Sequence, residues 1–120
     1  MHVALFPNLL SRVRPVFEIV AVARTHFGRL PLAVASCGDQ LIVEMTLERV
    51  GIRTLFDHVV AIGTVCRGKP APDLFLAASE RLGVAPETCH VYEDSDEGLE
   101  AASRAGMSAL DVREVPGLTR

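Results

Sequence analysis

Two hydrophobic rhythms alternate along the chain. VFEIVAVARTHF at 16–27 has apolar residues at helical spacing, with Gly28 as the stop and Pro31 opening the next segment. PLAVAS at 31–36 is a short unbroken apolar run bounded by turn residues, the pattern of a strand buried on both faces in a parallel sheet. A second helix is predicted from Asp39, with Val43, Leu47 and Val50 on one face and Gly51 as its terminator. HVVAIG at 58–63 predicts the next strand, and Asp73 to Leu82 a helix that turns Phe75, Ala78 and Leu82 inward and ends at Gly83. CHVYE at 89–93 reads as a third strand, Ser95 or Asp96 as the cap of a helix reaching about Ala105 before Gly106, and SALDV at 108–112 as a fourth strand. Such alternation predicts a doubly wound α/β parallel sheet, in which ligands sit outside the carboxyl ends of the strands.

Composition narrows the function classes. A chain of 120 residues with 49% hydrophobic and 22% charged residues builds one modest core. Its net charge of −3, with the basic residues spread along the chain, argues against nucleic acid and anionic membranes as partners, so any phosphate recognition has to be local. Cys37, Cys66 and Cys89 form no CxxC pair and leave an odd thiol, which suggests a reducing, cytoplasmic setting with neither disulfide framework nor zinc site. The longest apolar runs, such as Ile19 to Ala23, fall far short of the ~20 residues of a membrane span. The first seventeen residues carry Arg12 and Arg14 and no acid, as a mitochondrial presequence does, but Pro7 and Pro15 interrupt the helix such a leader needs. A short connecting helix is the plainer reading.

Three polar clusters fall at or just beyond predicted strand ends. Ser36-Cys37-Gly38 offers a hydroxyl and successive backbone N–H groups at a helix start, which can hold a phosphate oxygen or simply cap the helix. In GKPAPD at 68–73, Pro70 and Pro72 stiffen the chain around Lys69, and a fixed ammonium suits a transferring phosphoryl group better than a solvated loop lysine would. In YEDSDEG at 92–98, Glu93 and Asp94 close the strand and are oxygen ligands suited to magnesium. Asp96 and Glu97 stand where a helix dipole alone accounts for them.

In order and spacing, VAS at 34–36, GKPAPD with LFLAASERLGV at 68–84, and VYEDSDEGLEAASRAGM at 91–107 resemble motifs II, III and IV of the β-phosphoglucomutase-like phosphatases in the haloacid dehalogenase superfamily. Small sugar-phosphate phosphatases of the fructose-monophosphate type are the nearest match in character. The resemblance implies a Rossmann-like core over 16–113, with 1–15 as a remnant of the helical cap or a linker and 114–120 as a loose tail. It implies that Ser36 binds the phosphoryl group with help from the Cys37 amide, that Lys69 bridges phosphate and nucleophile, and that Glu93 and Asp94 hold Mg2+. It further implies a nucleophilic aspartate and an acid/base aspartate from an N-terminal DxDGT motif, forming an aspartyl-phosphate. No Asp precedes Asp39, so that motif is absent. Asp94-Ser95-Asp96 has DxD spacing but continues as EGLEAASRAGM instead of a DGT-like turn, which sets it apart from a nucleophile motif.

In the family the nucleophile strand lies at the sheet centre, so its loss is expected to split the sheet and expose backbone on both sides. Three readings are compatible with this pattern. The chain is a truncated, inactive form of a phosphatase, or of a phosphomutase, acting on a small phosphorylated metabolite. It is a non-catalytic phosphate and magnesium binder. Or it is half of a split or swapped assembly, self-associating or complemented through exposed sheet edges.

Overall fold

The computed structural model describes residues 2–4, 21–61, 67–111 and 113. In chain order the elements are β1 (His2–Ala4), α1 (21–26), β2 (Leu32–Ala35), α2 (Gln40–Arg49), β3 (His58–Val60), α3 (Asp73–Leu82), β4 (Cys89–Glu93), α4 (Asp96–Arg104) and β5 (Ser108–Asp111). Single 3-10 turns at Arg53–Leu55 and Pro86–Thr88 lead into β3 and β4. The strands form one sheet in the order β3-β2-β1-β4-β5, and every pairing is parallel.

The centre of that sheet corrects one expectation. It is not split: His2–Ala4 lies between β2 and β4, pairing Ala4 with Ala33 on one side and with Val91 on the other. Its three residues pair with Leu32 and Ala33 of β2 and with Cys89 to Val91 of β4, whose inner backbone groups would otherwise be left without partners there. The edges of the described sheet are therefore β3 and β5, and the inner edges that motivated self-association are paired. The reading of 1–15 as cap remnant or linker gives way, over His2–Ala4, to a strand of the core sheet; the rest of that stretch lies outside the described residues.

Two apolar layers hold the helices to the sheet. On one face Ala23 of α1 and Val43 and Leu47 of α2 pack on Leu32 and Val34 of β2 and Val59 of β3. On the other, Leu74, Phe75 and Ala78 of α3 and Ala101 and Ala102 of α4 pack on Ala33, Ala35, Val60 and Val91. The four residues of β2 thus alternate between the layers and are all buried, as a strand covered on both faces requires.

The end of α2 differs from its predicted face. Val43 and Leu47 are buried, but Val50 is 56% exposed. Val50 is the C-cap, not a helical residue, and Gly51 turns the chain at φ 80°. That left-handed turn lets Gly51 N–H donate to Glu48 O and Ile52 N–H to Leu47 O, so Ile52, not Val50, continues the buried face. The same bond pair ends α3 and α4.

The predicted strand at 58–63 stops at Val60, with Ile62 and Gly63 outside the described residues, as are the start of the 16–27 helix, Cys66 and the 114–120 tail. Among the described residues no helix is long and apolar enough to cross a membrane.

Candidate functional site

Ser36 follows the last residue of β2, Glu93 ends β4, and Lys69 reaches in from the loop before α3. All three stand at the carboxyl edge of the sheet. Lys69 Nζ donates to Ala35 O at 2.9 Å and lies 3.6 Å from Glu93 Oε2. Since β2 and β4 flank β1, the ammonium spans the carboxyl end of the central strand. The Lys69 side chain is 4% exposed and that of Glu93 0%, so neither is a solvated surface charge. At 3.6 Å the two form an ion pair without a hydrogen bond. The Phe75 ring supports the ammonium from below, its centroid 4.9 Å from Nζ. Burial pushes the Lys69 ammonium below its ordinary range and the Glu93 carboxyl above its own, and the charge of each opposes the other's shift.

Ser36 does not cap α2. Asp39 does, its Oδ1 accepting Ile42 N–H at 3.2 Å. Ser36 is buried, its N–H donates to Val60 O, and its Oγ accepts Gly38 N–H at 3.0 Å, folding the chain tightly just past β2. Cys37 is exposed at the tip of that turn.

Glu93 and Asp94 divide their work. Glu93 turns inward: Oε1 accepts Asp94 N–H (2.9 Å), Ser95 N–H (3.1 Å) and Ser95 Oγ–H (3.0 Å), while Oε2 faces Lys69 with no hydrogen bond. Ser95 Oγ in turn accepts Gly98 N–H at 3.1 Å, so of the two candidate caps it is Ser95 that starts α4. Asp96 and Glu97 occupy the first turn, where their charge opposes the helix dipole. Among the described residues no group of three or more His, Cys, Asp or Glu side chains converges, and the two carboxylates expected to hold a cation, Glu93 and Asp94, are both buried. Magnesium commonly takes one or two protein carboxylates, which suits this donor set in kind, but Glu93 Oε2 faces the Lys69 ammonium and its Oε1 the turn donors, so Glu93 is engaged within the chain.

Next to this cluster Arg113 ties the end of β5 to the start of α4. It donates to Asp111 Oδ1 and Oδ2 at 3.0 Å each and to Asp96 Oδ1 at 2.7 Å. Those bonds hold the Asp111 carboxyl below the usual aspartate range. A depressed folded-state pKa contributes stability above the unfolded value, near 3.9, and loses it as pH falls through the folded one. The melting-temperature gap between the wild type and Asp111→Asn is thus expected to be constant near neutral pH and to close on acidification below about pH 4. Its size is on the order of 1 kcal/mol or less, since the clamp is partly solvated. A gap independent of pH would contradict this.

Three contributors carry no signal of a site role in the sequence: Phe75 beneath Lys69, Gly98 against Glu93, and Arg113. The alternation of β4 carries one usable signal: Cys89, Val91 and Glu93 share the buried face, which points Glu93 toward α3 and α4.

The model of the haloacid dehalogenase-like hydrolases matches residues 15–112. The chain is 46% identical over 105 residues to the fructose-1-phosphate phosphatase YqaB of Escherichia coli, covering 88% of this chain and 55% of that protein. It is 39% identical to a phosphorylated carbohydrates phosphatase of Thermotoga maritima, covering 88% and 48%. Among solved structures, CbbY of Rhodobacter sphaeroides in complex with phosphate superimposes with a TM-score of 0.67 at 33% identity, covering 79% of this chain and 43% of that one. The chain thus spans about half the length of the curated relatives it matches.

Proposed function

Because this chain belongs to the haloacid dehalogenase-like hydrolases, we propose that it carries the phosphate-holding and magnesium-holding part of a phosphatase acting on a small phosphorylated sugar. The observation that carries the reading is the Lys69 ammonium, buried and held across the end of the central strand between Ala35 O and Glu93 Oε2. An immobilised cation there stabilises an incoming phosphoryl group without having to be ordered by it. In this reading Ser36 Oγ and the Cys37 amide bind phosphoryl oxygens beside Lys69. Asp94 is the metal-facing carboxylate, and Glu93 stands behind it, holding Lys69 and the turn amides. Magnesium, when bound, supplies charge neutralisation of the phosphoryl oxygens. The sugar-phosphate class rests on the activities of the Escherichia coli and Thermotoga maritima relatives. A phosphomutase would use the same groups.

The nucleophile and the acid/base would be aspartates contributed by sequence other than these residues, since none precedes Asp39. These 120 residues alone are therefore expected to bind inorganic phosphate with magnesium in calorimetry, and to give no turnover of an aryl phosphate. Asp94→Asn is expected to abolish the magnesium dependence of that binding. No heat of binding at millimolar concentrations would reject the site; turnover that disappears in Asp94→Ala would overturn the reading that the nucleophile lies elsewhere. A second reading, a phosphate binder without turnover, draws on one observation: the described residues of the central strand β1 are His, Val and Ala, with no aspartate among them.

A further inference from the structure

Gly98 is the third residue of α4, a position where alanine would favour the helix. Its φ is not left-handed, so the backbone does not call for glycine there. The space does. A Cβ at 98 would overlap Cδ and both carboxylate oxygens of Glu93, and those are the three nearest atoms it would meet. By contrast, a Cβ at Gly38 would come no nearer than 3.1 Å to Val43 Cγ2 and 3.3 Å to Ser36 Oγ, a crowding that small shifts relieve. The Glu93 carboxylate therefore lies directly on the bare backbone of α4.

That carboxylate is also the only anion in ion-pair contact with Lys69 among the described residues. It is fixed from three sides: by the Asp94 and Ser95 donors, by the ammonium, and by the helix surface at 98. We propose that Gly98 is a positioning residue, whose missing side chain lets Glu93 lie inward and so sets the Lys69 ammonium over the end of β1. The link to phosphate rests on the function proposed for Lys69; the link from Gly98 to Lys69 does not. A methyl group at 98 expels the carboxylate from its seat. Lys69 then loses its ionic partner and keeps the Ala35 carbonyl and the Phe75 ring face.

The sequence supplies a clean reporter, because Lys69 is the sole lysine. An amine-acylating reagent followed by mass spectrometry reads its accessibility against the α-amino group of the same chain. With its side chain 4% exposed, Lys69 is expected to react slowly in the wild type. In Gly98→Ala its rate rises about tenfold or more, and phosphate affinity falls by a similar factor. Glu93→Ala frees Lys69 by itself, and adding Gly98→Ala to it changes neither readout further. A Lys69 rate within about twofold of wild type in Gly98→Ala overturns the proposal, as does an equal effect of Gly98→Ala with and without Glu93. Should Gly98→Ala fail to fold, the Gly98→Ala/Glu93→Ala pair is expected to restore cooperative urea unfolding, since the three atoms nearest the added Cβ all belong to the Glu93 carboxylate. If the pair fails while Glu93→Ala folds, the proposal is lost. A freed Lys69 with unchanged phosphate affinity would uphold the positioning role and reject Lys69 as the phosphate ligand.

Discussion

Replacing Lys69 with methionine is expected to lower the unfolding free energy by about 3–5 kcal/mol and to abolish phosphate binding. The stability loss comes from burial. Glu93 is fully enclosed, and removing the ammonium leaves Oε2 with no countercharge and no donor. Breaking a buried pair from one side typically costs that much, because the surviving charge remains desolvated. Replacing both members is a different matter. In Lys69→Met/Glu93→Gln no charge is left behind, and an amide oxygen at 93 can still accept from Asp94 and Ser95. The double variant is therefore expected to be more stable than Lys69→Met while remaining unable to bind phosphate. Urea unfolding of the wild type, both single variants and the double variant, with calorimetry on inorganic phosphate, measures both effects. Equal stability of Lys69→Met and wild type would mean that the Glu93 carboxyl sheds its unpaired charge without cost, and would overturn the penalty for breaking the pair from one side.

Phe75→Ala is expected to destabilise by a comparable amount for another reason. Phe75 is fully buried in the α3/α4 layer, and deleting a core phenyl group commonly costs about 3–5 kcal/mol in lost transfer energy and cavity formation. For a domain of ordinary stability, roughly 5–15 kcal/mol, that is a large share. Phe75→Leu separates the two roles of the ring. It retains most of the packing, so most of the stability should return, but it removes the π face 4.9 Å from Lys69 Nζ. Phosphate affinity should remain reduced in Phe75→Leu. If leucine restores affinity fully, the ring acts only as filler.

Much of the architecture is legible in the sequence because its punctuation is local. Gly51, Gly83 and Gly106 each end a helix through bonds reaching back no more than five residues. The bounds of Asp73 to Leu82 and Cys89 to Glu93 agree between sequence and structure for that reason. Ser36, Lys69, Glu93 and Asp94 are likewise legible as a set of candidates, since each lies at or near the end of a strand or in the loop that returns to one. The features that escape depend on contacts distant in sequence or on a direction that composition does not encode. His2–Ala4 is too short to show a period, and its place is fixed only by β2 and β4. The alternation of β4 announces the inward turn of Glu93, but Asp94, just beyond the strand, is buried as well, which that alternation does not announce. Val50 fits the helical spacing of Val43 and Leu47, but the helix has already ended when the chain reaches it. Arg113 meets Asp96 across seventeen residues, a pairing for which no local pattern exists.

The central strand also orders events in time. β1 is the first described element, yet one of its two partners, residues 89–91, lies far along the chain from it. Until β4 arrives, β1 can pair only with Leu32 and Ala33. The sheet is complete on both sides of β1 only once β4 has docked. Closing such a long chain loop is entropically slow, and late closure leaves one side of β1 open to other strands in the meantime. Since Lys69 reaches from β2 to β4 across β1, its two anchors come together only in that last step: folding of the sheet and assembly of the site are the same event.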